Sequence, residues 1–195
     1  MGAIHGTIST RTPTESALPP QEPKADHALA RGSVVDAVVY VEELHPRVES
    51  RRPAHGPSRL ELKDQTLRPR ILVVPAGTSV EFSNHDSLFH NIFSVSPAKP
   101  FNLGRFGRGE SKRVTFDKPG LINVYCNLHP NMAAYILVVP NRMFTRPDSL
   151  GRFVLPTLPK GRYVVNVWHP DFPAIRREVT ITGGARPELV VTLGS

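Results

Sequence analysis

The run Tyr125-Cys126-Asn127-Leu128-His129-Pro130-Asn131-Met132 places a thiolate, an imidazole and a thioether at positions i, i+3 and i+6 of one short loop. These are soft or borderline donors, and sulfur ligands combined with imidazole select copper. The loop falls between two stretches of strand character, Gly120 to Cys126 and Ala133 to Val139, so the hairpin itself sets the distance among three donors. A fourth stands 36 residues upstream: His90, in Phe89-His90-Asn91-Ile92-Phe93, begins a predicted strand that can hold it rigidly against the loop.

Two histidines, one cysteine and a weak axial methionine make a blue-copper donor set. Such a set suits electron transfer, because Cu(I) and Cu(II) prefer different geometries and a site held by the fold rearranges little when the charge changes. Taken singly, a lone cysteine reads as a small buried hydrophobe and a lone methionine as core. Together, at these offsets, they point to a metal. Structural zinc sites favour Cys and His without Met, and a c-type haem is excluded because Cys-x-x-Cys-His is missing.

His85, in Asn84-His85-Asp86, competes with His90 but lies in a turn-like run. His5, His27, His45, His55 and His169 have no ligand-like neighbours, so the chain does not supply the further converging histidines that a second, catalytic copper needs. That weighs against an enzyme. Cys126 is the single cysteine, which rules out an internal disulfide.

Outward from the motif, strand signals dominate: short apolar runs rich in Val, Ile, Phe and Tyr, bounded by Gly, Pro, Asn or Asp. Strands are expected at Val34 to Leu44, Arg70 to Val74, Ser79 to Ser83, Asn91 to Val95 and Ser111 to Phe116. The two hairpin stretches follow, then Gly151 to Pro156, Arg162 to Trp168, Arg176 to Thr182 and Glu188 to Leu193. Helical periodicity is absent, and the segment after Pro100 is expected to hold one short turn at most. The spacing gives an all-β chain of sandwiches or barrels.

The whole chain has 195 residues, 39% hydrophobic and 21% charged, with 14 Gly and 20 Pro. That composition folds, and its length fits one domain or two small ones, two being the expectation here. No apolar run approaches the ~18 residues of a membrane-spanning helix, and the first residues lack the pattern of a secretory signal. Lys and Arg number 24 against 17 Asp and Glu, a formal +7. The basic residues are scattered without interleaved aromatics, which argues against nucleic acid. Thr10 to Gly32 reads as a flexible loop, and Pro46 to Ser58 as a connector. With a compositional change after Pro140, these place boundaries near 58 and 140.

The stretch from about Leu60 to Pro140 resembles the cupredoxins. Cys126-x-x-His129-Pro130-x-Met132 is similar in spacing to the amicyanin loop and shorter than that of plastocyanin, and Phe89-His90-Asn91 matches the family's first-histidine motif. Val74-Pro75-Ala76-Gly77-Thr78-Ser79-Val80, Phe82, Asn84 and Phe116-Asp117-Lys118-Pro119-Gly120 add supporting marks. The resemblance implies an eight-stranded Greek-key sandwich binding one copper ion at one end. It makes Cys126, His90 and His129 equatorial ligands and Met132 the axial one. It implies that Asn91 ties the histidine strand to the cysteine loop, and that His129, ringed by Leu128 and Pro130 and extended by Leu88 and Phe89, is the electron port.

The C-terminal piece, with Gly151-Arg152-Phe153-Val154-Leu155-Pro156, Lys160-Gly161-Arg162-Tyr163 and Trp168-His169-Pro170, resembles the carboxypeptidase regulatory-like, or transthyretin-like, Ig-like β-sandwich. Its opening strands are missing there, while Gly2 to Ile8 and Val34 to Val41 look like them. The expectation is one discontinuous sandwich, residues 1–57 and 141–195, with a cupredoxin domain at 58–140 inserted into it. The leading functional expectation is an electron carrier shuttling between redox partners in the periplasm or another extracytoplasmic compartment, its signal peptide absent from this chain. The runner-up is a copper-delivery protein; a third reading is an interaction module with no metal. Leu60 to Pro140 carries nine Lys and Arg against six Asp and Glu, and the net +3 favours an acidic partner.

Overall fold

The structure is a computed structural model, described for residues 1–11, 32–43, 58–184 and 186–194. Its strands are β1 (His5–Thr10), β2 (Val38–Val41), β3 (Arg59–Lys63), β4 (Thr66–Arg68), β5 (Ile71–Pro75), β6 (Thr78–Asn84), β7 (His90–Ser94) and β8 (Phe101–Phe106). They continue as β9 (Ser111–Phe116), β10 (Gly120–Cys126), β11 (Ala133–Val139), β12 (Phe144–Thr145), β13 (Arg152–Val154), β14 (Gly161–His169), β15 (Phe172–Ile181) and β16 (Glu188–Leu193). The fold is all-β, with one short 3-10 turn at Val34–Asp36. The chain divides into two compact units, one made of Met1–Arg51 with Asn141–Ser195 and the other of Arg52–Pro140.

In the continuous unit, a five-stranded sheet, β5-β11-β10-β7-β8, and a four-stranded sheet, β4-β3-β6-β9, share one core. Period-two alternation explains the core. Leu60, Leu62, Val80, Phe82 and Phe116 come from one sheet and Ile92, Ile122, Val124 and Ile136 from the other, all buried. Each such side chain contributes about 1.5–3 kcal/mol on leaving water. Phe101 bridges the layers, its ring 5.7 Å from that of Phe82 and 6.0 Å from that of Phe116.

The segment after Pro100 holds no helical turn, in keeping with the expectation of one at most, but it holds a strand that the sequence reading did not include. Phe101–Phe106 is a full strand, paired antiparallel with β7 through a register shift between Asn91 and Phe93. The irregular pairing and the glycine at 104, with φ 67°, mask its alternation. The hairpin β3–β4 is likewise new, so the described residues of this unit form nine strands where the resemblance implies eight. Its two-residue turn uses Asp64 and Gln65, with φ of 54° and 52°, in place of the usual Asn-Gly or Asp-Gly.

The discontinuous unit also carries two sheets, β13-β1-β16 and β12-β2-β14-β15, around Ile4, Ile8, Val39, Val41, Phe153, Tyr163, Val165, Val167 and Val191. The N-terminal strand is central to its sheet: β1 runs parallel to β16 and antiparallel to β13. The expected strand from Val34 to Leu44 is shorter than expected. Val34–Asp36 closes a turn through Asp36 N–H to Ser33 C=O, and pairing begins only at Val38. The expected flexible loop at 10–32 and the connector at 46–58 lie almost wholly outside the described residues.

Candidate metal centre

The alternation of β10 buries Ile122, Val124 and Cys126 on one face. Cys126 thus ends the strand with its sulfur on the core side. Its register partner on β7 is Ile92, and residues directly opposite in an antiparallel pair share a face. His90, two residues before Ile92, lies on that same face as the diagonal neighbour of Cys126. The loop then turns back. His129 C=O accepts from Met132 N–H at 3.1 Å with Pro130 at the position where its fixed φ favours a turn, and Met132 C=O accepts from Cys126 N–H at 3.2 Å.

These constraints converge three donors. Cys126 Sγ lies 3.7 Å from His90 Nδ1 and 3.7 Å from His129 Nδ1, and the two nitrogens are 3.1 Å apart. The point equidistant from all three is about 2.0 Å from each, close to the ~2.0–2.1 Å of a metal–imidazole bond and somewhat short of the ~2.3 Å of a metal–thiolate bond. The donor set therefore fits a soft or borderline metal ion by chemistry and by spacing. His90 and Cys126 are buried and His129 is half-buried between exposed Leu128 and Pro130. Met132 is 1% exposed and packs in the hydrophobic core of the same unit.

His90 Nε2 lies 2.9 Å from Asp86 Oδ2. An ionised carboxylate only accepts, so Nε2 carries the proton and Nδ1 presents its lone pair to the cluster. Burial pushes the His90 imidazole below its ordinary value against the opposing pull of Asp86. Burial also tends to raise Asp86, but N–H groups of Gln65 and Asp64 and the His90 ring hold its carboxyl below the usual range.

Asn91 joins the two elements through its backbone, whose C=O accepts from Asn127 N–H at 3.1 Å. Its buried Oδ1 has no hydrogen-bond partner among the described residues. Two residues with contacts here were not read from the sequence as part of the site. One is Asp86. The other is Asn84, fully buried, whose Nδ2 donates to Leu88 C=O and Phe106 C=O while Oδ1 accepts from Asp86 N–H.

The competitor His85 is exposed and outside the cluster. His169 is buried, with Nε2 on Ser33 C=O and Nδ1 accepting from Asp171 N–H. His5 lies on β1 in the discontinuous unit, and His27, His45 and His55 fall outside the described residues.

No family model matches the chain, and no curated protein matches it. Among solved structures, a copper-containing nitrite reductase (NirK) from Thermus scotoductus SA-01 is similar over 42% of this chain, with 32% identity and a TM-score of 0.40. The chain spans only 22% of that enzyme's length. A purple cupredoxin from Nitrosopumilus maritimus is similar over 42% of this chain and 98% of its own, with 26% identity and a TM-score of 0.38. An oxidised amicyanin variant is similar over 43% of this chain and 82% of its own, with 19% identity and a TM-score of 0.40. Among the described residues, no helix is long and apolar enough to cross a membrane.

Proposed function

We propose that the chain is a one-electron carrier built on a single type 1 copper ion cycling between Cu(I) and Cu(II). The observation that carries this reading is the triangle of Cys126 Sγ, His90 Nδ1 and His129 Nδ1, one donor on each strand end and one on the loop. In it, His90, Cys126 and His129 would hold the ion, with Met132, buried in the same unit, as the fourth donor. When bound, copper supplies the reversible one-electron couple. The protein's part is to hold the donors in a rigid hairpin and sheet and to keep water away from the thiolate.

His129 serves as the electron port. It is half-buried, and Leu128 at 43%, Leu88 at 43% and Phe89 at 54% exposure offer apolar surface in the same loops. An acidic redox protein in an extracytoplasmic compartment is the partner this reading expects. Its docking rate falls as salt rises. Residues 58–140 form the redox domain, and the discontinuous sandwich has a structural or docking role without catalytic residues.

Titration of the purified protein with copper(II), followed by visible absorption beside a Cys126→Ser variant, tests the reading. The expected result is an intense thiolate-to-copper band that the variant lacks. No band, or one indifferent to Cys126, overturns it. The half-exposure of His129 favours a second reading, copper delivery, in which the ion passes readily to a competing chelator. A carrier instead cycles reversibly in voltammetry and keeps its metal.

A further inference from the structure

The Asp86 carboxylate is the meeting point of three elements. Oδ2 takes His90 Nε2 at 2.9 Å and Gln65 N–H at 3.0 Å, while Oδ1 takes Asp64 N–H at 2.5 Å. Those two amides belong to the left-handed turn of the β3–β4 hairpin, whose φ values of 54° and 52° aim consecutive N–H groups at one point. Asn84 fixes the other end by accepting Asp86 N–H at 2.8 Å. Two backbone amides thus hold the carboxylate while Asn84 holds the backbone of the same residue, and the second acceptor site of Oδ2 falls on the imidazole.

We propose that Asp86 is a positioning residue that locks the His90 ring in its Nε2-protonated form with Nδ1 facing Cys126, and so couples the metal centre to the Asp64–Gln65 turn. This rests on the copper reading for its functional consequence. A fixed anion one imidazole away from the ion makes Nδ1 a stronger donor and favours the more highly charged oxidation state. Partners of this kind typically change metal affinity 10–100-fold when removed. Because the charge acts more on Cu(II) than on Cu(I), each tenfold of differential loss raises the reduction potential by about 59 mV.

The test uses the full chain with Asp86→Ala and the near-isosteric Asp86→Asn. Long-range proton–nitrogen correlation of the metal-free protein reads the His90 tautomer directly. Copper(II) and copper(I) competition titrations read affinity. In the parent protein, His90 is expected as the Nε2–H form. In Asp86→Ala it becomes a mixture of tautomers, with Cu(II) affinity 10–100-fold weaker. Asp86→Asn keeps an acceptor for Nε2–H, so the tautomer survives while the lost charge still weakens Cu(II) more than Cu(I). An unchanged tautomer in Asp86→Ala, or Cu(II) affinity within twofold of the parent, overturns the proposal. A parent that binds no copper, yet whose His90 tautomer depends on Asp86, overturns the copper reading and leaves the tether standing.

Discussion

Two buried histidines, one in each unit, show what separates an imidazole closed off by backbone groups from one that joins a cluster of donors. His169 is 1% exposed and His90 0% exposed, so burial does not distinguish them. Their partners do. His169 spends both ring nitrogens on backbone groups, Ser33 C=O and Asp171 N–H, and sets its ring 4.8 Å from that of Phe172. His90 spends one nitrogen on Asp86 and turns the other toward a thiol and a second imidazole. A buried polar group needs a partner, and a closed pair of backbone contacts answers that need in one unit, while a convergent donor set answers it in the other.

The contrast is broken most severely at these two residues. His90→Ala is expected to weaken copper(II) binding by more than about 100-fold, beyond the range for outer partners. His169→Ala is expected to leave copper affinity within about twofold, but to cost about 1–3 kcal/mol of stability because a buried ring is deleted and the part-buried Ser33 C=O and Asp171 N–H lose their partner. Copper titration and thermal unfolding of both variants check this. Copper loss in the His169 variant would erase the distinction.

The next contrast concerns glycines. A Cβ at Gly6 on β1 would sit 1.8 Å from Leu189 C=O, so only glycine permits the parallel pairing with β16. Gly6→Ala is therefore expected to lower stability by about 1–3 kcal/mol or more through forced backbone separation, without altering the copper spectrum. Gly77 in the continuous unit has φ 82°, but a Cβ there would meet nothing within 4 Å. Gly77→Ala costs only left-handed strain, about 1–2 kcal/mol. Denaturant midpoints of the two variants rank them; an equal or reversed order would show that β1 tolerates displacement.

What was legible in the sequence follows the same division. The hairpin flanking the ligand loop was legible to its ends, because Gly120 to Cys126 and Ala133 to Val139 are short apolar runs rich in Val, Ile and Tyr and bounded by turn residues. That Cys126 and His129 would converge with His90 was legible because a thiol and an imidazole three residues apart on a hairpin loop have few other uses. Phe101–Phe106 was hidden because a register shift and a central glycine interrupt the alternation of an edge strand. The β3–β4 turn was hidden because Asp64-Gln65 has glutamine where the usual Asn-Gly or Asp-Gly pair has glycine. Asp86 was hidden for a different reason. Its role depends on amides 21 and 22 residues away, a contact that only the folded topology creates.

The smallest expected contrast is in pH dependence, and the two units stand at opposite ends of the scale. Burial holds His90 below its ordinary value near 6.5, so the unfolded chain binds more protons there than the folded one. The stability tied to its neutral form is complete above about pH 6.5 and is lost as pH falls through the lower folded value. Burial holds Tyr163, whose hydroxyl donates to Pro159 C=O at 3.1 Å, above its ordinary value near 10. Its contribution is complete below about pH 10 and is lost as pH rises through the higher folded value. Metal-free protein should therefore lose stability from both sides, and the acid loss should shrink in His90→Gln while the alkaline loss shrinks in Tyr163→Phe. If copper takes the His90 Nδ1 lone pair as proposed, it should sharpen the acid limb, since a proton and the ion would compete for it. Midpoints measured from about pH 4 to 11, with and without copper, separate the two limbs; an acid limb unchanged in His90→Gln would show that another group sets it.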